Sequence, residues 1–124
     1  MFRNEPAESR SRAAAAKPGS ESGTESLSRQ RFEAIGLVVR QQVPIPEVGD
    51  VDMRIGRTLV IEVDGWAYHS DPVAFENDRR RDALISAQRL VPLRFSYNKV
   101  MYDWPFVERI VLTCLANERS STLS

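Results

Sequence analysis

At 124 residues, with 42% hydrophobic residues and a formal net charge of zero, the chain is sized for one small domain. Its whole-chain charge draws no polyanion, so any nucleic-acid surface has to be a local patch. Cys114 is the single cysteine, which excludes an intrachain disulfide and a cysteine zinc cluster and suits a reducing cytoplasm. No apolar run approaches the roughly 20 residues that cross a bilayer, and the charged N-terminus lacks a signal peptide's apolar core, so no membrane partner is expected.

Residues 1–21 are rich in Ser, Ala, Glu and Arg and read as a flexible tail or linker. The domain is expected over 22–117. "SGTE" at 22–25 matches a capping box, with Leu27, Arg31, Phe32 and Ile35 following at helical spacing and Gly36 ending the helix. Three strands follow: 37–45, which ends at prolines and so belongs near a sheet edge; 48–56, with Val51, Met53 and Ile55 alternating against Asp50, Asp52 and Arg54; and 57–65. Asp71 and Pro72 open a second helix that reaches about Arg89, residues 90–96 form a further strand, and 102–117 form a closing helix capped by Asp103. The tail 118–124 is expected to fray. The order is α-β-β-β-α-β-α, an α/β class with a mixed sheet.

The hairpin between the second and third strands has a parity constraint. Both strands put their odd-numbered apolar residues on one face, so paired residues sum to an even number. A three-residue turn at Gly56, Arg57 and Thr58 satisfies this and a two-residue turn does not. That register sets Asp52 opposite Glu62, with Asp64 one step along the same face. Two carboxylates about 4 Å apart repel by roughly 4 kcal/mol at an effective dielectric near 20. A shared proton, an arginine or a divalent cation has to offset this. Asp and Glu oxygens with the Val63 carbonyl make a hard site suited to magnesium or manganese. The alternative is a set of ion pairs with Arg54, Arg57 or Arg94, and an arginine filling the space between the carboxylates argues against a cation site.

The pieces "ES" at 25–26, "VDM" at 51–53, "LVIEVDGWAYHSDP" at 59–72, "FENDRRRD" at 75–82 and "LRFS" at 93–96 together resemble the bacterial family named domain of unknown function 559. That family is related to the very-short-patch-repair (Vsr) endonucleases, within the PD-(D/E)XK superfamily. The resemblance covers about residues 22–116 and implies a restriction-endonuclease-like core. It implies that Asp52 and Glu62 are metal ligands, with the Val63 carbonyl between Glu62 and Asp64. It also implies that Glu25 reaches the metal through water, although the capping box accounts for a Glu there as well. Asp64 stands where the superfamily usually has lysine, so it takes a second metal or acts as base instead. Family members often carry a winged-helix domain before this core, so DNA binding draws on a protein partner or an absent N-terminal domain.

Around this cluster, His69 either protonates the leaving group or hydrogen-bonds the turn after Gly65. Trp66 and Tyr68 either stack on bases or pack into the core. Arg79, Arg80 and Arg81 spread around nearly a full helical turn, so they divide between DNA, solvent and structural pairs. Arg81 or Arg79 is expected against Asp64 or Glu25, and Arg94 is expected on phosphate. Two functions follow. One is a magnesium-dependent endonuclease cutting DNA, with Asp52, Glu62, Asp64, Glu25 and His69 as candidate catalytic residues. The other is a catalytically weak nuclease-fold module that binds DNA or a protein in a defence or toxin–antitoxin system.

Overall fold

The β2–β3 hairpin is the centre of the fold, and it forms because its two strands and its turn agree on one register. In the computed structural model, which describes residues 18–65 and 71–123, β2 (Gly49–Ile55) and β3 (Leu59–Val63) pair antiparallel with Met53 opposite Ile61, Arg54 opposite Val60 and Ile55 opposite Leu59. The turn is the expected three residues, with Gly56 at φ 68°, a left-handed conformation that glycine adopts without a Cβ penalty. A Cβ at Gly56 would also stand 2.7 Å from Leu115 Cδ2 and 2.8 Å from Glu118 Oε2.

The sheet extends from this hairpin on both sides. β1 (Val39–Ile45) pairs antiparallel with β2 and is an edge strand, as its prolines require. β4 (Val91–Phe95) pairs parallel with β3 and forms the other edge, so Pro92 lies in a strand with one unpaired side. The parallel register sets Glu62 beside Arg94. α1 (Pro18–Ala34), α3 (Tyr97–Tyr102) and α4 (Trp104–Leu123) bury one face of the sheet. Phe32, Val100, Val107, Val111 and Leu115 from these helices pack there on Met53, Ile55, Leu59, Ile61 and Val63. α2 (Pro72–Ala87) contributes Ile85 to a smaller cluster with Ile45, Val51 and Val60. The fold is a mixed α/β arrangement with helices on both sides of a four-stranded sheet.

Three local expectations are corrected. α1 begins at Pro18, so Ser22 is not its cap and Glu25 lies inside the helix. Further along the helix, the Ser28 hydroxyl donates to the Thr24 carbonyl four residues back. β3 is buried along its whole length rather than on one face, because α2 covers the side that bears Val60 and Glu62. The closing helix begins right after Asp103 as expected, but a short helix that the sequence reading did not contain precedes it. Ser96 caps the short α3 by accepting from the Lys99 amide, and Asp103, at φ −145° and ψ 48°, breaks the chain before α4.

α4 then continues past Asn117 to Leu123. At Glu118 its carboxylate accepts from the Arg57 amide (2.7 Å), the Thr58 amide (3.0 Å) and the Thr58 hydroxyl (2.6 Å). This clasp satisfies the hairpin tip's amides, which no strand partner reaches. α2 begins as its sequence requires, with the Asp71 carboxylate accepting from the Val73 amide and Pro72 in the first turn. Among the described residues, no helix is long and apolar enough to cross a membrane.

Candidate functional site

The regular β2–β3 pairing stops at Met53 and Ile61. One step further in the same register, Asp52 and Glu62 face each other, and side chains take over from the ladder. The Asp52 amide donates to Glu62 Oε2 at 3.3 Å, and the Val63 amide donates to Asp52 Oδ2 at 2.8 Å. β1 is distorted at the same level. Gln41 pairs with Met53 and Val43 with Val51, while Gln42 between them has φ 48°. A left-handed non-glycine residue inside a strand costs of order 1–3 kcal/mol and persists only where its surroundings hold it. Gln42 Nε2 is 3.5 Å from Glu25 Oε1.

Glu25 completes the group from α1. Its carboxyl hydrogen-bonds that of Asp52, and burial together with the Glu25 and Glu62 carboxylates pushes Asp52 well above the usual carboxylate range, against a smaller opposing pull from the Val63 amide.

Asp64 does not join them. Arg94 lies between it and Glu62, with Nη1 3.2 Å from Asp64 Oδ1 and Nη2 3.4 Å from Glu62 Oε1. The same guanidinium reaches Asp82 Oδ1 at 3.1 Å and Asp78 Oδ1 at 3.6 Å on α2. The three-carboxylate convergence of Asp52, Glu62 and Asp64 is thus corrected. Glu25 takes the third place, because the parallel β3–β4 register sets an arginine directly beside Glu62. Burial raises the Asp64 carboxyl, and Arg94 opposes part of that rise. Burial lowers Arg94, but the Glu62, Asp82 and Asp78 carboxylates outweigh it and hold the guanidinium above its ordinary value.

Arg81 reaches over from α2. It places Nε 3.2 Å and Nη2 2.9 Å from Glu62 Oε1, and its Nη1 donates to the Val48 carbonyl at 2.9 Å. Its carboxylate partner is Glu62, not the expected Asp64 or Glu25. Glu62, 8% exposed, joins two halves of the site. Oε1 meets the arginines, and Oε2 faces the Asp52 backbone. Arg79 and Arg80 are exposed on the outer side of α2. Trp66, Tyr68 and His69 lie outside the described residues.

The donor set has definite capacities. Among the described residues, no three carboxylate, imidazole or thiol side chains are grouped so as to hold a metal ion as they stand. The Glu25–Asp52 pair still presents closely placed hard oxygens. Magnesium commonly binds through one or two carboxylates and completes its shell with water and phosphate oxygens, so the pair fits such an ion. Gln42 was invisible to sequence reasoning, because "QQ" in a strand carries no signal for a left-handed residue. Arg94 was one of three arginines the sequence offered as partners for these acids, and the choice stayed open because the sequence does not state whether β4 runs parallel to β3.

No family model matches the chain, and no curated protein sequence matches it. Among solved structures it is similar to the catalytic domain of the homing endonuclease I-Bth0305I, with a TM-score of 0.60 and 18% identity over 72% of this chain and 89% of that one. The likeness is one of fold: this chain has a nuclease-type α/β architecture.

Proposed function

We propose that the chain is a divalent-metal-dependent nuclease domain that hydrolyses DNA phosphodiester bonds, with Glu25, Asp52 and Glu62 at its centre. One observation carries this reading. The Glu25 and Glu62 carboxylates crowd the buried Asp52 carboxyl, and among the described residues the arginines beside it pair with Glu62 and Asp64 instead, so Asp52 gains most from a cation. Magnesium is the proposed ion, with manganese fitting the same donors. The Val63 carbonyl and Glu62 Oε2 are the remaining candidate protein oxygens. When bound, such an ion polarises the phosphate and lowers the pKa of a bound water.

The other residues are assigned around that centre. Asp64 orients Arg94, and Arg94 with Arg81 holds Glu62. Arg79 and Arg80 face outward and are the arginines proposed to meet DNA phosphate. His69 is proposed as proton donor to the leaving oxygen, and Trp66 and Tyr68 as base contacts. Support for DNA as substrate comes from the fold shared with a homing endonuclease domain and from the resemblance to the Vsr-related family.

A second reading has its own observation. Arg81 and Arg94 already neutralise Glu62 Oε1, as in a domain whose acids serve the fold. That reading is a weakly active or inactive module binding DNA or a protein partner in a defence or toxin–antitoxin system. The discriminating experiment incubates the purified chain with supercoiled plasmid and magnesium or manganese, beside Asp52→Ala and Glu62→Ala, with circular dichroism as the folding control. Nicking or linearisation lost in both variants establishes the nuclease. DNA binding without cleavage establishes the module, and equal cleavage by all three chains rejects the site.

A further inference from the structure

The three consecutive arginines of α2 part company. Arg81 is tied to Glu62 and the Val48 carbonyl, and Asp78 and Asp82, near it on the helix, meet Arg94. The outer side of the same helix has a different chemistry. Phe75 is 46% exposed and Val73 is 69% exposed. The Arg79 guanidinium carbon stands 4.5 Å from the centroid of the Phe75 ring. Among the described residues, neither Arg79 nor Arg80 has a carboxylate within ion-pair distance. A solvent-facing aromatic ring under a guanidinium, with a second arginine next to it and neither in a salt bridge among the described residues, is a local patch of the kind a chain of zero net charge needs to meet a polyanion.

We infer that this face of α2 is a platform for unpaired nucleotides of the DNA strand: a base stacks on Phe75 and Arg79, and Arg80 meets the adjoining phosphate. This rests on the nuclease reading and adds a substrate preference to it. Aromatic rings and guanidinium planes are the surfaces on which exposed bases stack, whatever their sequence. In an intact duplex both faces of each base are covered by its neighbours, so the platform selects frayed, gapped or single-stranded DNA. Glu76 is also exposed on this helix and offsets part of the arginine charge. Phosphate attraction alone is therefore weak, and stacking supplies the discrimination. The opposite face of α2 is bonded into the candidate site through Arg81, so a strand held here is held on the element that also fixes Glu62.

The test is fluorescence anisotropy with the full chain in EDTA, so that binding is read apart from cleavage. The probes are a labelled single strand of mixed sequence and the blunt duplex of the same strand, at one fixed moderate salt concentration. The wild type is expected to bind the single strand at least about fivefold more tightly, the low end of what one stacked base contributes. Phe75→Ala abolishes that preference while leaving duplex affinity within about twofold. The Arg79→Gln/Arg80→Gln double variant weakens the binding of both probes. Thermal melts confirm that the variants remain folded. A wild type that prefers the duplex, or a Phe75→Ala chain that keeps its single-strand preference, overturns the inference. The plasmid assay, with its Asp52 and Glu62 variants, judges the nuclease reading separately.

Discussion

The two ends of the β2–β3 hairpin each hold a carboxylate that accepts from backbone amides, yet the two acids are driven in opposite directions. At the closed tip, Glu118 takes amides from Arg57 and Thr58 and the Thr58 hydroxyl. Burial pushes its carboxyl up, but these hydrogen bonds and the Arg57 charge outweigh burial and hold it below its ordinary value. At the open end, Asp52 takes one amide, from Val63, and otherwise faces Glu25 and Glu62, so it is pushed up. The difference lies in the neighbours. A carboxylate ringed by donors is a fastening, while one ringed by carboxylates raises the energy of the fold and is retained for something else. Removing charge should therefore weaken the tip and strengthen the open end.

Asp52→Asn is the strongest way to break that contrast. The amide keeps an oxygen for the Val63 N–H and supplies N–H donors to Glu25, so the repulsion from Glu25 becomes an attraction and that from Glu62 is removed. Melting is expected to move upward, by about 0.5–2 kcal/mol, the usual gain when a site residue is made to suit the fold. Metal-dependent plasmid cleavage is expected to fall at least a thousandfold, roughly 4 kcal/mol of transition-state stabilisation. An Asp52→Asn chain that melts lower than wild type removes the contrast, because Asp52 would then be a fastening like Glu118.

Arg94→Leu tests where within the open end the boundary lies. Arg94 contacts Glu62, Asp64, Asp78 and Asp82, and its side chain is 18% exposed. Removing it leaves clustered carboxylates without their cation. Breaking a buried pair from one side costs 3–5 kcal/mol, and the partial exposure here brings the expected loss to about 3 kcal/mol by urea denaturation. Arg94 would then belong to the scaffold and Asp52 to the site, with Glu62 as the residue they share. A loss below about 1 kcal/mol would mean that the acids around Arg94 are satisfied by solvent.

How far each end was readable from sequence follows the same division. The parity of Met53 and Ile55 against Leu59, Ile61 and Val63 dictated the turn length and the register that brings Asp52 to Glu62, because side-chain alternation in a strand is a local rule, whereas Val51, expected on the same face, packs instead with Val60 and Ile85. Asp71–Pro72 announced α2 by local capping chemistry. What escaped was non-local. Glu118 meets Thr58 across 60 residues of chain, and Arg94 reaches Glu62 only because β4 lies parallel to β3. The capping-box pattern at 22–25 misled for the complementary reason. Glu25 has a tertiary partner in Asp52, and the motif offered a local explanation for the same residue.

The smallest expected effect is the one that checks the tip directly. Glu118→Gln preserves shape and removes charge, and charge-assisted hydrogen bonds are roughly twice as strong as neutral ones, so a loss of about 1 kcal/mol is expected at pH 7. The pH dependence has a fixed sign. Because the folded carboxyl lies below its ordinary value of 4.5, the unfolded chain takes up the proton first as pH falls. The stabilisation is complete above the unfolded value and is lost as pH drops through the folded one. In acid the wild-type carboxyl becomes neutral and resembles Gln, so the denaturation midpoints of the two chains should converge. A gap that persists unchanged at low pH would assign the clasp to packing against the Gly56 turn rather than to charge, and the tip would no longer be the electrostatic opposite of the open end.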